Sequence, residues 1–199
     1  MALNGWRLVA SVACVLFLLL AVAAGSTTAT TEGARMVIRW TARLSLILFL
    51  MAFTASAWVK LVPGAYTIWQ RRNRRYLGLS FALSHFVHLG AILLLASVDP
   101  DLFWKLTNPV TILTGSLAYL FIAAMAASSF DRIVAAMGDR LWHGVHGFGA
   151  WYIWISFVFT FGKWAVMDTA YLPAMVLIAA ALSVRLLAYF KARRIGVAG

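Results

Sequence analysis

The stretch Arg71-Arg72-Asn73-Arg74-Arg75-Tyr76-Leu77-Gly78-Leu79-Ser80-Phe81-Ala82-Leu83-Ser84-His85-Phe86-Val87-His88-Leu89-Gly90 runs from four arginines straight into apolar sequence. A basic block followed by about twenty apolar residues is how a membrane-spanning helix begins at the cytoplasmic face. His85 and His88 stand three residues apart inside that run. Burying an ionisable side chain in hydrocarbon without a partner is costly, so the two imidazoles need a reason to be there.

The whole chain follows the same pattern. Of its 199 residues 63% are hydrophobic and 12% charged, with a mean hydropathy of +0.88. A soluble domain would carry about 25% charged residues. Apolar runs occupy residues 8–25, 40–62, 76–97, 109–128, 141–162 and 171–189, each near the length that crosses a bilayer as a helix. The expected fold is all-α, a single polytopic transmembrane domain over residues 1–199 with six helices in one bundle. The net charge of +11 sits mostly in short segments between runs. That is a topology signal and argues against a nucleic-acid partner. The first run, at about eighteen residues, is long for a signal peptide and reads as a retained helix. The segment Ser26–Gly33 reads as a flexible loop, Pro63-Gly64 as the end of the second helix, and Asn108-Pro109 as the start of the fourth.

Arginine placement orients the bundle. Arg71, Arg72, Arg74 and Arg75 mark one loop as cytoplasmic, and Lys191, Arg193 and Arg194 put the C-terminus on the same side. Six spans then leave both termini cytoplasmic. Arg35, Arg39 and Arg43 conflict with this unless they lie at the outer headgroups. The single Cys14 excludes an intramolecular disulfide and a cysteine-based metal site. None of the six acidic residues lies in the middle of an apolar run, which argues against a carboxylate proton relay.

All four histidines fall in two of the runs, as His85-Phe-Val-His88 and His143-Gly-Val-His146. The i, i+3 spacing puts both rings of a pair on one helical face. Third and fifth helices run parallel in this topology, so their histidines can meet. Neutral imidazole is the natural axial donor to haem iron. The plain alternative is hydrogen bonding between helices. A di-metal centre is disfavoured because such sites need carboxylates beside the histidines. His143, next to Trp142 at the boundary, has the weakest claim. Gly144, Gly147 and Gly149 around His146 suit either close helix packing or a flat macrocycle against the backbone.

Arg74-Arg75-Tyr-Leu-Gly-Leu79 with a helical His88, followed by Trp142-His-Gly-Val-His146 opening a later span, resembles the ferric-reductase-like transmembrane domain family. Within it the similarity is greatest to the haem-binding membrane subunits of bacterial periplasmic methionine-sulfoxide reductase systems. The resemblance implies a six-helix b-type cytochrome of the bacterial inner membrane. Haem b would be held between helices three and five by His146 and His88, the oxidoreductase partner subunits being separate. It further implies a separate electron donor, a flavoprotein or a quinol, and a periplasmic acceptor. The family's fifth span usually carries a second histidine thirteen residues after the first; here that position is Phe159, so one haem is expected rather than two. Depth favours His85 over His88 as partner of His146. At 1.5 Å per residue His146 lies roughly 9 Å above Arg140, and His85 and His88 lie roughly 15 and 20 Å above Arg75. A non-redox membrane protein, a small transporter or an assembly factor, is the rival reading.

Overall fold

The computed structural model describes residues 3–26 and 30–197. Within them the chain is helical throughout, with no strand. The long helices are α1 (Trp6–Ser26) and α2 (Thr30–Leu61). A short α3 (Ala65–Arg72) then leads into α4 (Arg74–Val98). Another short helix, α5 (Pro100–Leu106), precedes α6 (Pro109–Ala127), and α7 (Asp131–Met137) precedes α8 (Asp139–Met167). A 3-10 turn at Thr169–Tyr171 opens α9 (Leu172–Val197). Five of these helices, α1, α2, α4, α6 and α9, are long and apolar enough to cross a membrane. The 29 residues of α8 reach roughly 44 Å, also long enough, but its Trp, Tyr, Gly and His residues lower its hydropathy. The protein is a polytopic helical membrane protein.

The breaks are local chemistry. Asp99 accepts a hydrogen bond from the Leu102 N–H at 3.0 Å with Pro100 behind it, and Asn108 does the same for Thr111 at 2.9 Å before Pro109. Gly138, at φ +79°, turns the chain between α7 and α8 through a conformation that other residues resist. Asn73, buried between α3 and α4, holds the N-terminal end. Its Oδ1 accepts from the Gly5 N–H at 2.8 Å, and its Nδ2 donates to Asn4 Oδ1 at 2.9 Å and to the Trp69 carbonyl at 3.0 Å.

One expectation is corrected here. Thr30–Gly33 are helical, not loop, and Ser26 still belongs to α1; residues 27–29 lie outside the described residues. The first turn of α2 is supported by Glu32, whose charge suits a helix start and pairs with Arg35 at 2.6 Å. At 32 residues α2 is about 48 Å long against about 30 Å of hydrocarbon. Counted from Leu61, Arg35 and Arg39 ride on the overhang and Arg43 sits near its base.

Cross-helix contacts fix how the helices lie. Thr41 meets His88, Ser45 meets Ser84 and Phe49 meets Phe81, so α2 and α4 are antiparallel. Phe53 meets Arg185 and Lys60 meets Lys191, so α2 and α9 run in parallel. Phe49, Phe81 and Phe157 pack at ring separations of 5.4 and 6.2 Å in the centre, with Ile122, Ile153 and Ile178 around them. α2 is the hub.

Candidate functional site

The four histidines form two groups at different depths. Along α4, His88 Nδ1 lies 2.9 Å from the Thr41 hydroxyl oxygen and 3.1 Å from the Ile38 carbonyl. The Thr41 hydroxyl spends its own proton on the Val37 carbonyl at 2.6 Å. A carbonyl can only accept. Nδ1 therefore carries the proton, and Nε2 is left with its lone pair, the tautomer a metal ion would use. His85 is stacked against His88 at 5.3 Å and touches Tyr119 at 5.0 Å. Its buried Nδ1 has no partner, nor has the Tyr119 hydroxyl or that of Ser80.

His146 is arranged by the opposite nitrogen. Ser128, fully buried at the end of α6, donates to the Ala124 carbonyl at 2.7 Å and so accepts from His146 Nε2 at 2.9 Å. Trp142 stacks on the His146 ring at 4.4 Å while its indole N–H donates to the Ser128 carbonyl at 2.9 Å. Two contacts from one serine thus hold the ring, with Nδ1 free. His143 is exposed, its Nδ1 2.8 Å from the Asp139 carbonyl.

A cavity of about 410 Å³ lies between α2, α4, α6 and α8. His146 and His143 line it, with Arg74 and Arg75 at the same end; Phe49, Phe53 and Ile122 are among its apolar walls. From α4 it takes Gly78, Phe81 and Ala82, one turn short of His85. His85 and His88 are not in its wall.

The expected meeting of the two groups is corrected by the register of α4 and α8. His85 and Phe81 both contact Phe157, at 6.0 and 6.2 Å. Phe157 lies eleven residues beyond His146, roughly 16 Å along the helix. His146 therefore stands near the level of Arg74, with which it lines the same cavity, and not near that of His85 or His88. The physical reason is that α8 starts lower than α4, so Arg140 and Arg75 are not at one level. Phe159, the position of the family's further ligand, is 74% exposed.

The glycines divide. A methyl group on Gly149 would meet Met125 Sδ at 2.6 Å, so this glycine permits α6 and α8 to approach. Gly144 and Gly147 face open space. Sequence reading also missed Arg185. Its guanidinium lies 4.1 Å over the Phe53 ring and 4.9 Å from that of Trp151, and donates to the Phe53 carbonyl at 3.2 Å. The signal was present: one charge in the apolar run 171–189.

Haem asks for one or two imidazoles, apolar walls and cations for its carboxylates. The cavity around His146 offers an imidazole, apolar walls and Arg74, while Arg75 is already paired with Asp131 and Asp139 shares the wall. One iron bridging His146 and His88 does not fit, given their separation in depth. Among the described residues no three His, Cys, Asp or Glu side chains come together as a group that could hold a metal ion. No family model, curated protein or solved structure matches the chain.

Proposed function

We propose that this chain is a bacterial inner-membrane b-type cytochrome of six spanning helices, carrying one haem b in the cavity at its arginine end. His146 is the imidazole donor. The observation that supports this reading best is the His146 ring itself, held by Ser128 and Trp142 in an apolar-walled cavity beside two arginines. Haem, when bound, supplies one-electron chemistry. His146 would hold the haem iron through Nδ1, the ring nitrogen that Ser128 leaves without a partner. Phe49, Phe53 and Ile122 exclude water and keep the local dielectric low. No Cys-x-x-Cys-His sequence is present for covalent attachment.

The cavity lies at the end where a separate cytoplasmic flavoprotein would dock; a quinol would arrive through the bilayer instead. Electrons then leave toward a periplasmic acceptor. His85, His88 and Tyr119 occupy the path between, and His88 Nε2 is the donor atom available there. With Phe159 facing out of the bundle, no imidazole on α8 opposes His88, which supports one haem rather than two.

Two measurements test this reading. The detergent-purified protein is expected to show a Soret band, with a pyridine haemochrome ratio near one haem per chain. A reproducible ratio near two would require a second ligand pair at His88, and a colourless protein would leave the non-redox transporter or assembly factor. Reporter fusions at Gly33, Asp101 and Ala170 should read periplasmic, and fusions near Asn73, Asp139 and Gly199 cytoplasmic. The reverse pattern would overturn the orientation and the direction of electron flow.

A further inference from the structure

Three elements of unequal firmness wall the arginine end of the cavity. α4 supplies Arg74 and Arg75, and α8 supplies Asp139, Trp142 and His143, each from the end of a long helix. The third is α7, which brings Asp131 and Val134. None of its seven residues is buried, and only Val134 and Met137 are half-buried. A helix this short is marginal by itself in water, so packing or its ends must hold it. With so little packing, α7 depends on its ends.

Those ends differ. At the start of α7, Phe130 meets both Trp6, stacked at 6.4 Å, and the Arg75 guanidinium, 5.9 Å from its ring. Arg75 Nη1 also donates to Asp131 Oδ1 at 3.0 Å. One arginine of α4 thus ties two successive residues. The tie is weak, because the Asp131 side chain is 91% exposed and that of Arg75 35%, and solvated ion pairs contribute little. At the other end the chain turns through Gly138 at φ +79°, with no side chain capping α8. A methyl group on Gly138 would meet nothing within 4 Å, so packing does not wedge this turn. Segments with few buried contacts and exposed ties are the ones that open locally while the rest of a fold stays closed.

We propose that α7 is a lid on the arginine end of the cavity, latched by Arg75 to Phe130 and Asp131 and pivoting at Gly138. Closed, Asp131 and Val134 complete the wall. Open, they withdraw and leave Arg74, Trp142 and His146 accessible from that side. On the cytochrome reading above, on which only the identity of the occupant rests, the lid is the entrance through which haem reaches His146 and the element that slows its loss.

The test follows the lid itself and needs no haem. In the purified full chain carrying Cys14→Ser, nitroxide labels on Arg72→Cys and Ala135→Cys, both exposed positions, report by pulsed EPR the distance from the α3–α4 junction to α7. With the latch intact one distance should dominate. Asp131→Asn should add a second, separate distance, raising the open fraction up to about fivefold, and Phe130→Ala should act in the same direction. Arg75→Glu combined with Asp131→Arg should restore the original distribution, which a general loss of packing would not do. Raising salt from about 0.1 to about 1 M shortens the screening length from about 10 to about 3 Å, and should open the unmutated latch. A distribution unchanged by both substitutions and by salt overturns the proposal. If the variants do not fold, the salt titration alone decides, and a salt-independent distribution overturns it. A lid that opens in a protein that never binds haem leaves this inference standing and ends the cytochrome reading. A haem-bound protein with an unresponsive α7 does the reverse.

Discussion

His146→Ala is expected to strip the protein of haem, a loss of at least about 100-fold in retention, beyond what removal of a supporting partner costs. The half-buried His146 ring walls the cavity, and the other histidine there, His143, is exposed and tied to its own helix. The substitution also removes the Ser128 bond and the Trp142 stack, so a structural explanation must be separated from ligation. Ser128→Ala removes the same bond but leaves the imidazole, and should keep its haem. Added imidazole should restore haem binding to His146→Ala, which repair of packing would not do. Low-temperature EPR on His88→Ala then decides the second axial position. A bis-histidine signal in the wild type that disappears in His88→Ala would reinstate the pairing that the sequence motif implies; a spectrum without that signal, unchanged in His88→Ala, leaves the haem to His146 without His88. Haem retained in full by His146→Ala would end the cytochrome reading at this cavity.

Asn73→Ala should lower stability by about 2–3 kcal/mol, seen as a lower melting temperature in detergent. Three side-chain hydrogen bonds disappear at once, and the Gly5 N–H and Asn4 side chain lose their partner. Asn4→Ala removes one of the three and should cost correspondingly less. The neighbours Arg71 and Arg72 are exposed, so their substitution by alanine should leave the melt nearly unchanged. An Asn73→Ala protein that melts with wild type would show that the junction of α3 and α4 is held by packing alone.

Much of the fold was legible because its punctuation is local. Pro63-Gly64 and Asn108-Pro109 end or begin helices through groups a few residues away, and both breaks fall where the sequence places them. Thr30–Gly33 was misread because threonine clusters suit both loops and the overhanging turn of a long helix. The histidines were legible as a pattern, not as a place. Residue spacing measures distance along one helix, whereas the level of His146 against His85 depends on how far α8 is shifted relative to α4. That shift is set by Phe157 packing on Phe81 and by the turn at Gly138, and neither leaves a mark near the histidines. Arg185 was legible in principle. Its run is so apolar that the average conceals one charge.

The parallel pairing of α2 with α9 has a consequence for biogenesis. Lys191 donates to the carbonyls of Lys60 and Leu61, closing the end of a helix made about 130 residues earlier. At 5–20 residues per second, ribosomes deliver that partner roughly 7–26 s later. During that interval the α2 face around Phe53 is open to lipid or to the insertion machinery, and the bundle is a crescent rather than a closed ring. A nascent chain arrested before residue 172 should crosslink from position 53 to non-self molecules, and a chain released after residue 197 should not.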